Sequence, residues 1–152
     1  MRADYALLKH DEPVKKGASM TTATWIADSG ASTHMGNDDE GMYDAKLINS
    51  PVKMGNGITV TAKKIGKKRV SILQQDGTTT DVVLEDFKYV PNLCVNLFSI
   101  TKALHKGWNI GNKGVQMYLQ KNDQRIVFDK EFKTQKGAVW GVKILPRTSQ
   151  SS

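Results

Sequence analysis

The segment Thr24-Trp25-Ile26-Ala27-Asp28-Ser29-Gly30-Ala31 determines the fold that the sequence predicts. Its first four residues are rich in types that favour a β-strand. Aspartate, serine and glycine then follow in immediate succession, and all three are common turn formers. The segment therefore predicts a strand that ends by placing the side chain of Asp28 in a tight turn.

The small residues after Asp28 suit one kind of chemistry, peptide hydrolysis by two carboxyl groups. Such a pair works when the groups are too close to ionise together, so that they share a proton. Gly30 lets two backbones approach closely and offers its N–H to the carboxylate. Ser29 can hydrogen-bond to a partner loop, and Ala31 avoids bulk beneath the pair. Asp28 is the predicted catalytic residue, and Ser29, Gly30 and Ala31 are its predicted supports.

The chain holds this triplet of residues once. Asp76-Gly77-Thr78 has a different order and falls in a predicted hairpin turn. A single copy in a chain of this length implies two chains related by a two-fold axis that passes through the site. The two Asp28 carboxyls would then titrate as a coupled pair. The sequence thus predicts a homodimer.

Three further pairs of β-forming segments predict hairpins. Asn-Gly and Asp-Gly between such segments are strong hairpin signals. The first hairpin joins 52–54 to 58–62 through Gly55-Asn56-Gly57. The second joins 69–73 to 80–84 around Asp76-Gly77. The third joins 115–119 to 125–128 around 121–123. A last strand is predicted at 138–145.

A single helix is predicted over residues 99–106. Ser99 suits the N-cap, the apolar residues that follow fall on one face, and Gly107 can end the helix in a left-handed conformation. The predicted fold is mainly β with one short helix. We expect residues 1–22 to be a lead-in that is flexible or forms an interface, 23–145 to be the folded domain, and 146–152 to be a flexible tail.

Composition limits the function classes. The 152 residues suffice for one globular domain, and at 7% aromatic residues a large aromatic binding surface is not expected. No apolar stretch approaches the roughly 20 residues of a membrane helix. The single cysteine, Cys94, excludes an internal disulfide framework and a multi-cysteine zinc site, and we expect it to be a buried thiol. These observations predict an intracellular protein with no metal or organic cofactor and no membrane partner.

The net charge of +7 leaves two interpretations open. Five basic residues lie within 63–69 and can contact nucleic acid. A solvated strand and turn whose lysines discourage edge-to-edge pairing is the favoured alternative, because no aromatic residues interleave with the lysines. The acidic residues 38–40 are expected to form a solvated loop, and His34 is expected to be structural or solvated rather than catalytic.

The segment from Trp25 to Met35 resembles the protease motif of copia-type LTR retrotransposon polyproteins. The similarity continues in the family's order and covers roughly residues 23–145, through Gly55-Asn56-Gly57, Tyr89-Val90-Pro91-Asn92-Leu93 and Asn96-Leu97-Phe98-Ser99-Ile100. It implies a retropepsin-like closed β-barrel that is homodimeric, with the active site on the two-fold axis. Ser99 departs from the glycine that viral members usually carry, which puts the local packing in question.

The resemblance also implies which residues contact substrate. The hairpin at Gly55, Asn56 and Gly57 is the expected flap, with Met54 and Ile58 touching substrate, although an ordinary surface hairpin is the alternative. The expected activity is that of an aspartic endopeptidase that cleaves a retrotransposon polyprotein in the cytoplasm, within a virus-like particle. The alternatives are a catalytically silent domain that binds protein or RNA, and a monomeric precursor that awaits dimerisation.

Overall fold

The computed structural model describes residues 23–54, 57–135 and 137–147. The predictions for the lead-in 1–22, for Gly55 and Asn56, and for most of the tail 146–152 lie outside these residues. The elements are β1 (Thr24–Asp28), β2 (Met35–Gly36), β3 (Met42–Lys53), β4 (Thr59–Leu73), β5 (Thr79–Tyr89), β6 (Asn96–Ser99), α1 (Ile100–His105), β7 (Asn109–Lys113), β8 (Gln116–Lys121), β9 (Gln124–Val127), β10 (Lys130–Thr134) and β11 (Gly137–Pro146).

The strands form one large sheet and one small one. The eight-stranded sheet has the order β10-β11-β1-β6-β2-β5-β4-β3, and β11 also pairs with β4. This extra pairing joins distant parts of the sheet and makes the domain barrel-like. Strands β7, β8 and β9 form a separate antiparallel sheet. The predicted class, mainly β with one short helix, is confirmed for the described residues.

Strand β1 runs through the middle of the hydrophobic interior, and all five of its residues are buried. Alternate side chains enter different clusters: Trp25 and Ala27 belong to one, and Ile26 to the other. Full burial of a large apolar side chain contributes about 1.5 to 3 kcal/mol. Gly141 on β11 faces this strand, and a Cβ there would lie 2.3 Å from the carbonyl oxygen of Trp25. The strand that carries Asp28 is therefore held on all sides.

The predicted hairpins are confirmed where the structure describes them. Lys53 pairs with Thr59 at the end of the β3–β4 hairpin, and Leu73 pairs with Thr79 at the end of the β4–β5 hairpin. Strands β8 and β9 form the third hairpin, and β11 is the predicted last strand. Strands β2, β7 and β10 were not predicted, nor was the part of β3 before residue 52.

Helix α1 begins and ends close to the predicted positions. The Ser99 Oγ accepts a hydrogen bond from the Lys102 N–H at 3.0 Å, as an N-cap does. Gly107 follows the helix with φ of +96°, in the left-handed region that glycine tolerates best. No helix in the described part of the chain is long and apolar enough to cross a bilayer.

Candidate active site

Asp28 is the last residue of β1, and its carboxyl group is buried. Strand β1 lies parallel to β6, and in this register Asp28 is the neighbour of Ser99. The Gly30 N–H donates to the Asp28 Oδ1 at 2.8 Å, as the sequence led us to expect. The other oxygen, Oδ2, is buried and has no hydrogen-bond partner among the described residues. Asp28 as a whole is 0% exposed.

An unpaired, buried carboxylate oxygen is unusual. Buried polar atoms in folded proteins nearly always have a partner, because desolvation without a hydrogen bond costs about 1 to 3 kcal/mol or more. The Asp28 Oδ2 is therefore suited to receive a donor from outside the chain. A water molecule, a substrate or a second carboxyl group that carries a proton would each supply one.

Two hydroxyl groups at the start of α1 hold the turn that follows Asp28. The Ser99 Oγ donates to the carbonyl oxygen of Ala31 at 2.7 Å. The Thr101 Oγ1 donates to the carbonyl oxygen of Ser29 at 3.0 Å. The sequence put the packing around Ser99 in question. In the structure the Ser99 hydroxyl caps α1 and also hydrogen-bonds to the turn. Thr101 was not predicted to contact this turn, because it is far from the turn along the chain.

A cavity of about 400 Å³ opens beside Asp28. This volume is in the range of small-molecule and peptide sites, about 300 to 1,000 Å³. The cavity is bordered by the turn that contains and follows Asp28, by apolar residues of the barrel and by the described part of the tip of the β3–β4 hairpin: Asp28, Gly30, Ala31, Ser32, Met35, Val52, Lys53, Met54, Gly57 and Leu97. The structure thus brings two separately predicted segments, the turn and the hairpin, to one site.

Some predicted site residues lie outside this cavity. The side chain of Ser29 is exposed, and Ile58, at 57% exposure, does not line the cavity. Met54 is half-buried and packs against the cluster that contains Ile26. Among the described residues of the hairpin, the ones that line the cavity are Val52, Lys53, Met54 and Gly57.

His34 is a buried structural residue in this arrangement. Its Nδ1 accepts the Ser99 N–H at 2.9 Å, and its ring lies 4.6 Å from the ring of Phe98. Burial, reinforced by the positive charge of Lys102, lowers the pKa of His34 to about 3, although the negative charge of Asp86 opposes the shift. The imidazole is accordingly neutral near neutral pH, and its Nδ1 is already occupied. It supports the strand beside Asp28.

The basic segment 63–69 is less solvated than predicted. Lys68 is 2% exposed; it donates to the backbone carbonyls of Asp38 and Glu40, and its Nζ lies 5.0 Å from the centre of the Phe87 ring. The prediction of a solvated segment was wrong for Lys68, because alternate side chains of β4 point into the interior and Lys68 is one of them. The inward-facing residues Val70 and Ile72 lie on the same face, and that spacing of two was the available signal.

The acidic residues 38–40 are also engaged by β4. Lys64 forms an ion pair with Asp39 at 2.7 Å, and this contact holds the pKa of Asp39 below its usual value, against a smaller opposing effect of burial. Because Lys68 binds two carbonyls of the same segment, the predicted solvated loop is in fact fastened to the barrel.

Cys94 is exposed, so the expectation of a buried thiol was wrong. It follows the turn at 91–92 and lies between Leu93 and Val95, whose side chains are buried instead.

In the described residues no three His, Cys, Asp or Glu side chains are grouped so as to hold a metal ion.

The fold and the cavity define a small barrel-like β domain with a buried aspartate at its cavity floor. A family model described as "Pol polyprotein, beta-barrel domain" matches residues 25–108, from β1 to just beyond α1 and more than half of the chain. The chain belongs to this family of Pol polyprotein β-barrel domains. The membership supports an origin in a retroelement polyprotein. No curated protein and no solved structure matches the chain.

Proposed function

We propose that this domain is an aspartic endopeptidase that hydrolyses peptide bonds of a copia-type retroelement polyprotein in the cytoplasm. The proposal rests on the burial and hydrogen bonding of the Asp28 carboxyl group. One oxygen is fixed by the Gly30 N–H, and the other is buried, unpaired within the described residues and beside a cavity of about 400 Å³. A carboxyl group so placed can act on a peptide that enters the cavity.

The proposed active unit is a homodimer with a closed barrel of the retropepsin type in each chain. One Asp28 carboxylate takes a proton from a water molecule, whose oxygen attacks the scissile carbonyl carbon. The second Asp28, protonated, donates a hydrogen bond to the carbonyl oxygen. Collapse of the tetrahedral intermediate breaks the C–N bond as a proton passes to the leaving amine. In each chain the Asp28 Oδ2, which has no partner among the described residues, is the atom available for this proton transfer.

Dimerisation requires a local rearrangement around Asp28. Asp28 is 0% exposed in the single chain, so two such carboxyls meet only if some of the residues that bury it move. The tip of the β3–β4 hairpin is the segment best placed for this, because Met54 and Gly57 line the cavity and the hairpin lies on β3, the last strand of the sheet. We propose that this hairpin is the flap.

The lining suggests what kind of peptide is bound. Met35, Val52, Met54 and Leu97 contribute apolar side chains to the lining of the cavity. We therefore propose substrates with apolar side chains near the cleaved bond. They would be held in an extended conformation between the hairpin and the floor, so that the backbone contributes to recognition.

The RNA-binding alternative has less support in the structure than in the sequence. Lys68 is buried, Lys64 is paired with Asp39, and Lys67 lies 3.9 Å from Asp44. Three members of the basic segment are thus directed at least partly to the chain's own acceptors. The monomeric-precursor alternative is separated from the proposal by the experiment that follows.

The test is cleavage of an extended polyprotein fragment by the wild type and by Asp28→Asn, at several pH values from about 5 to 7 and at high protein concentration. The Asn variant keeps the shape of the side chain and removes the ionisable pair. Asp76→Asn is the matched control, since Asp76 lies in the exposed turn between β4 and β5 and its Oδ1 accepts from Thr78. We expect cleavage by the wild type and the control and none by Asp28→Asn.

Sedimentation at several concentrations completes the test. A wild type that is folded and dimeric yet cleaves nothing would overturn the proposal and favour the binding module. A wild type that is inert and monomeric at every concentration would instead support the precursor state.

A further inference from the structure

The peptide group between Ser29 and Gly30 is held at both ends. Its N–H, on Gly30, donates to the Asp28 Oδ1 at 2.8 Å. Its carbonyl oxygen, on Ser29, accepts from the Thr101 Oγ1 at 3.0 Å. Because a peptide group is planar and rigid, a bond that orients the carbonyl also orients the N–H on the opposite side. Thr101 and Asp28 are therefore linked through a single rigid peptide group.

This arrangement matters because Gly30 has no side chain to restrain it. Ser29 and Gly30 are both exposed, and glycine loses more conformational freedom on ordering than any other residue. Without an anchor on the carbonyl, the Ser29–Gly30 peptide can rotate and withdraw its N–H from the carboxyl group. Thr101 is half-buried in the first turn of α1, whose start is fixed by the Ser99 cap. The anchor thus comes from a rigid element.

We propose that Thr101 is a positioning residue for Asp28, acting through the Ser29–Gly30 peptide; this inference rests on the proposed function of Asp28. Its hydroxyl keeps the Gly30 N–H aimed at Oδ1, which leaves Oδ2 as the oxygen that exchanges protons. The Ser99 hydroxyl holds the carbonyl of Ala31, two residues after Ser29, at 2.7 Å, so two hydroxyls at the start of one helix restrain the turn. Thr101 itself does not line the cavity.

The test compares Thr101→Val with Thr101→Ser. Valine keeps the branched shape and removes the hydroxyl, and serine restores the hydroxyl. We expect Thr101→Val to lower kcat by about threefold to tenfold, the range that one net hydrogen bond provides, with KM unchanged because substrate contacts remain. Thr101→Ser is expected to recover most of kcat. Thr78→Val is the matched control, since it removes a 2.7 Å hydroxyl bond to Asp76 in a remote turn.

A second readout does not depend on activity. In protein labelled with ¹⁵N-glycine, the Gly30 amide proton is expected to shift upfield in Thr101→Val, as its bond to Asp28 lengthens, and to return in Thr101→Ser. An unchanged Gly30 resonance and unchanged kcat in Thr101→Val would overturn the inference, as would a serine variant that behaves like valine. If the wild type cleaves no peptide, the proposed function fails, whereas the Gly30 resonance still decides whether Thr101 orients the turn.

Discussion

His34 gives the stability of the domain a dependence on pH. Its folded-state pKa is about 3, against an ordinary value of 6.5, so the unfolded chain binds a proton in the intervening range and the folded chain does not. The stabilisation is complete above the unfolded value and is lost as pH falls from 6.5 towards 3. One such group changes the free energy of unfolding by up to about 1.4 kcal/mol per pH unit in that window.

We predict that His34→Asn reduces this dependence. The Asn Oδ1 can replace Nδ1 as the acceptor of the Ser99 N–H, but the side chain does not titrate. Between about pH 5 and 6.5, above the ordinary carboxyl range, urea unfolding should show a shallower slope of stability against pH than in the wild type. Lower stability near neutral pH is also expected because the ring contact with Phe98 is lost.

His105→Asn is the control for this experiment, because His105 lies exposed in the last turn of α1. It should leave the slope close to that of the wild type. A His34→Asn variant whose stability falls with acid as steeply as the wild type would contradict the assignment of the proton uptake to His34.

Among the elements, two hairpins of the barrel offer a controlled comparison. In the β3–β4 hairpin the Met54 N–H donates to the Ile58 carbonyl and the Gly57 N–H to the Met54 carbonyl. In the β4–β5 hairpin Gln74, Gly77 and Thr78 make the same two bonds. The two glycines have φ of +88° and +91°, and a Cβ on either would meet no described atom within 4 Å. The hairpins differ in that Gly57, and not Gly77, lines the cavity beside Asp28.

We predict that Gly57→Ala and Gly77→Ala destabilise the fold alike and affect cleavage differently. An alanine at positive φ costs about 1 kcal/mol, which urea unfolding should show for both variants. Only Gly57→Ala should change kcat/KM, because only that hairpin is proposed to open and close over the substrate. Equal catalytic effects from the two variants would argue that the β3–β4 hairpin is an ordinary surface hairpin.

The hairpins and the helix were predictable because their determinants are local. Glycines at the turns, Ser99 before α1 and Gly107 after it act within a few residues of the element that they define. Strand β2, with two residues, has no such signal and exists because it pairs with β5 and β6. Strand β10 is likewise defined by its pairing with β11.

The same distinction applies to the site. The position of Asp28, at the end of a strand and before a tight turn, was predictable because strand, aspartate and small residues are consecutive. The contact of Thr101 with the Ser29 carbonyl spans 72 positions of sequence, and one threonine in a helix carries no sign of its partner. The burial of Lys68 depends on Phe87 and on the carbonyls of another segment, which the composition of residues 63–69 alone does not show.

For the whole molecule, the proposed site is complete only when two chains meet. We predict that mixing wild type with Asp28→Asn at constant total concentration, under conditions that let subunits exchange, lowers activity as the square of the wild-type fraction. At equal amounts, about a quarter of the dimers carry two intact Asp28 residues, so about a quarter of the activity should remain. The measurement is the initial rate of cleavage of the polyprotein fragment.

Mixing with Asp76→Asn under the same conditions is the control and should leave the rate unchanged. A rate that falls only in proportion to the wild-type fraction, to about half at equal amounts, would mean that a single chain is the catalytic unit. That outcome would contradict the shared dyad while leaving Asp28 as a functional residue.

The pairing of β11 with both β1 and β4 sets an order of events during synthesis. Residues 24–26 and 70–73 pair with residues 141–146, which are synthesised after both of them. Until then Trp25 and Ile26 lack the strand that covers them, and contacts of such long range form slowly. A nascent chain therefore cannot assemble the Asp28 site before translation has passed Pro146, so the proposed proteolysis can begin only after β11 has been made.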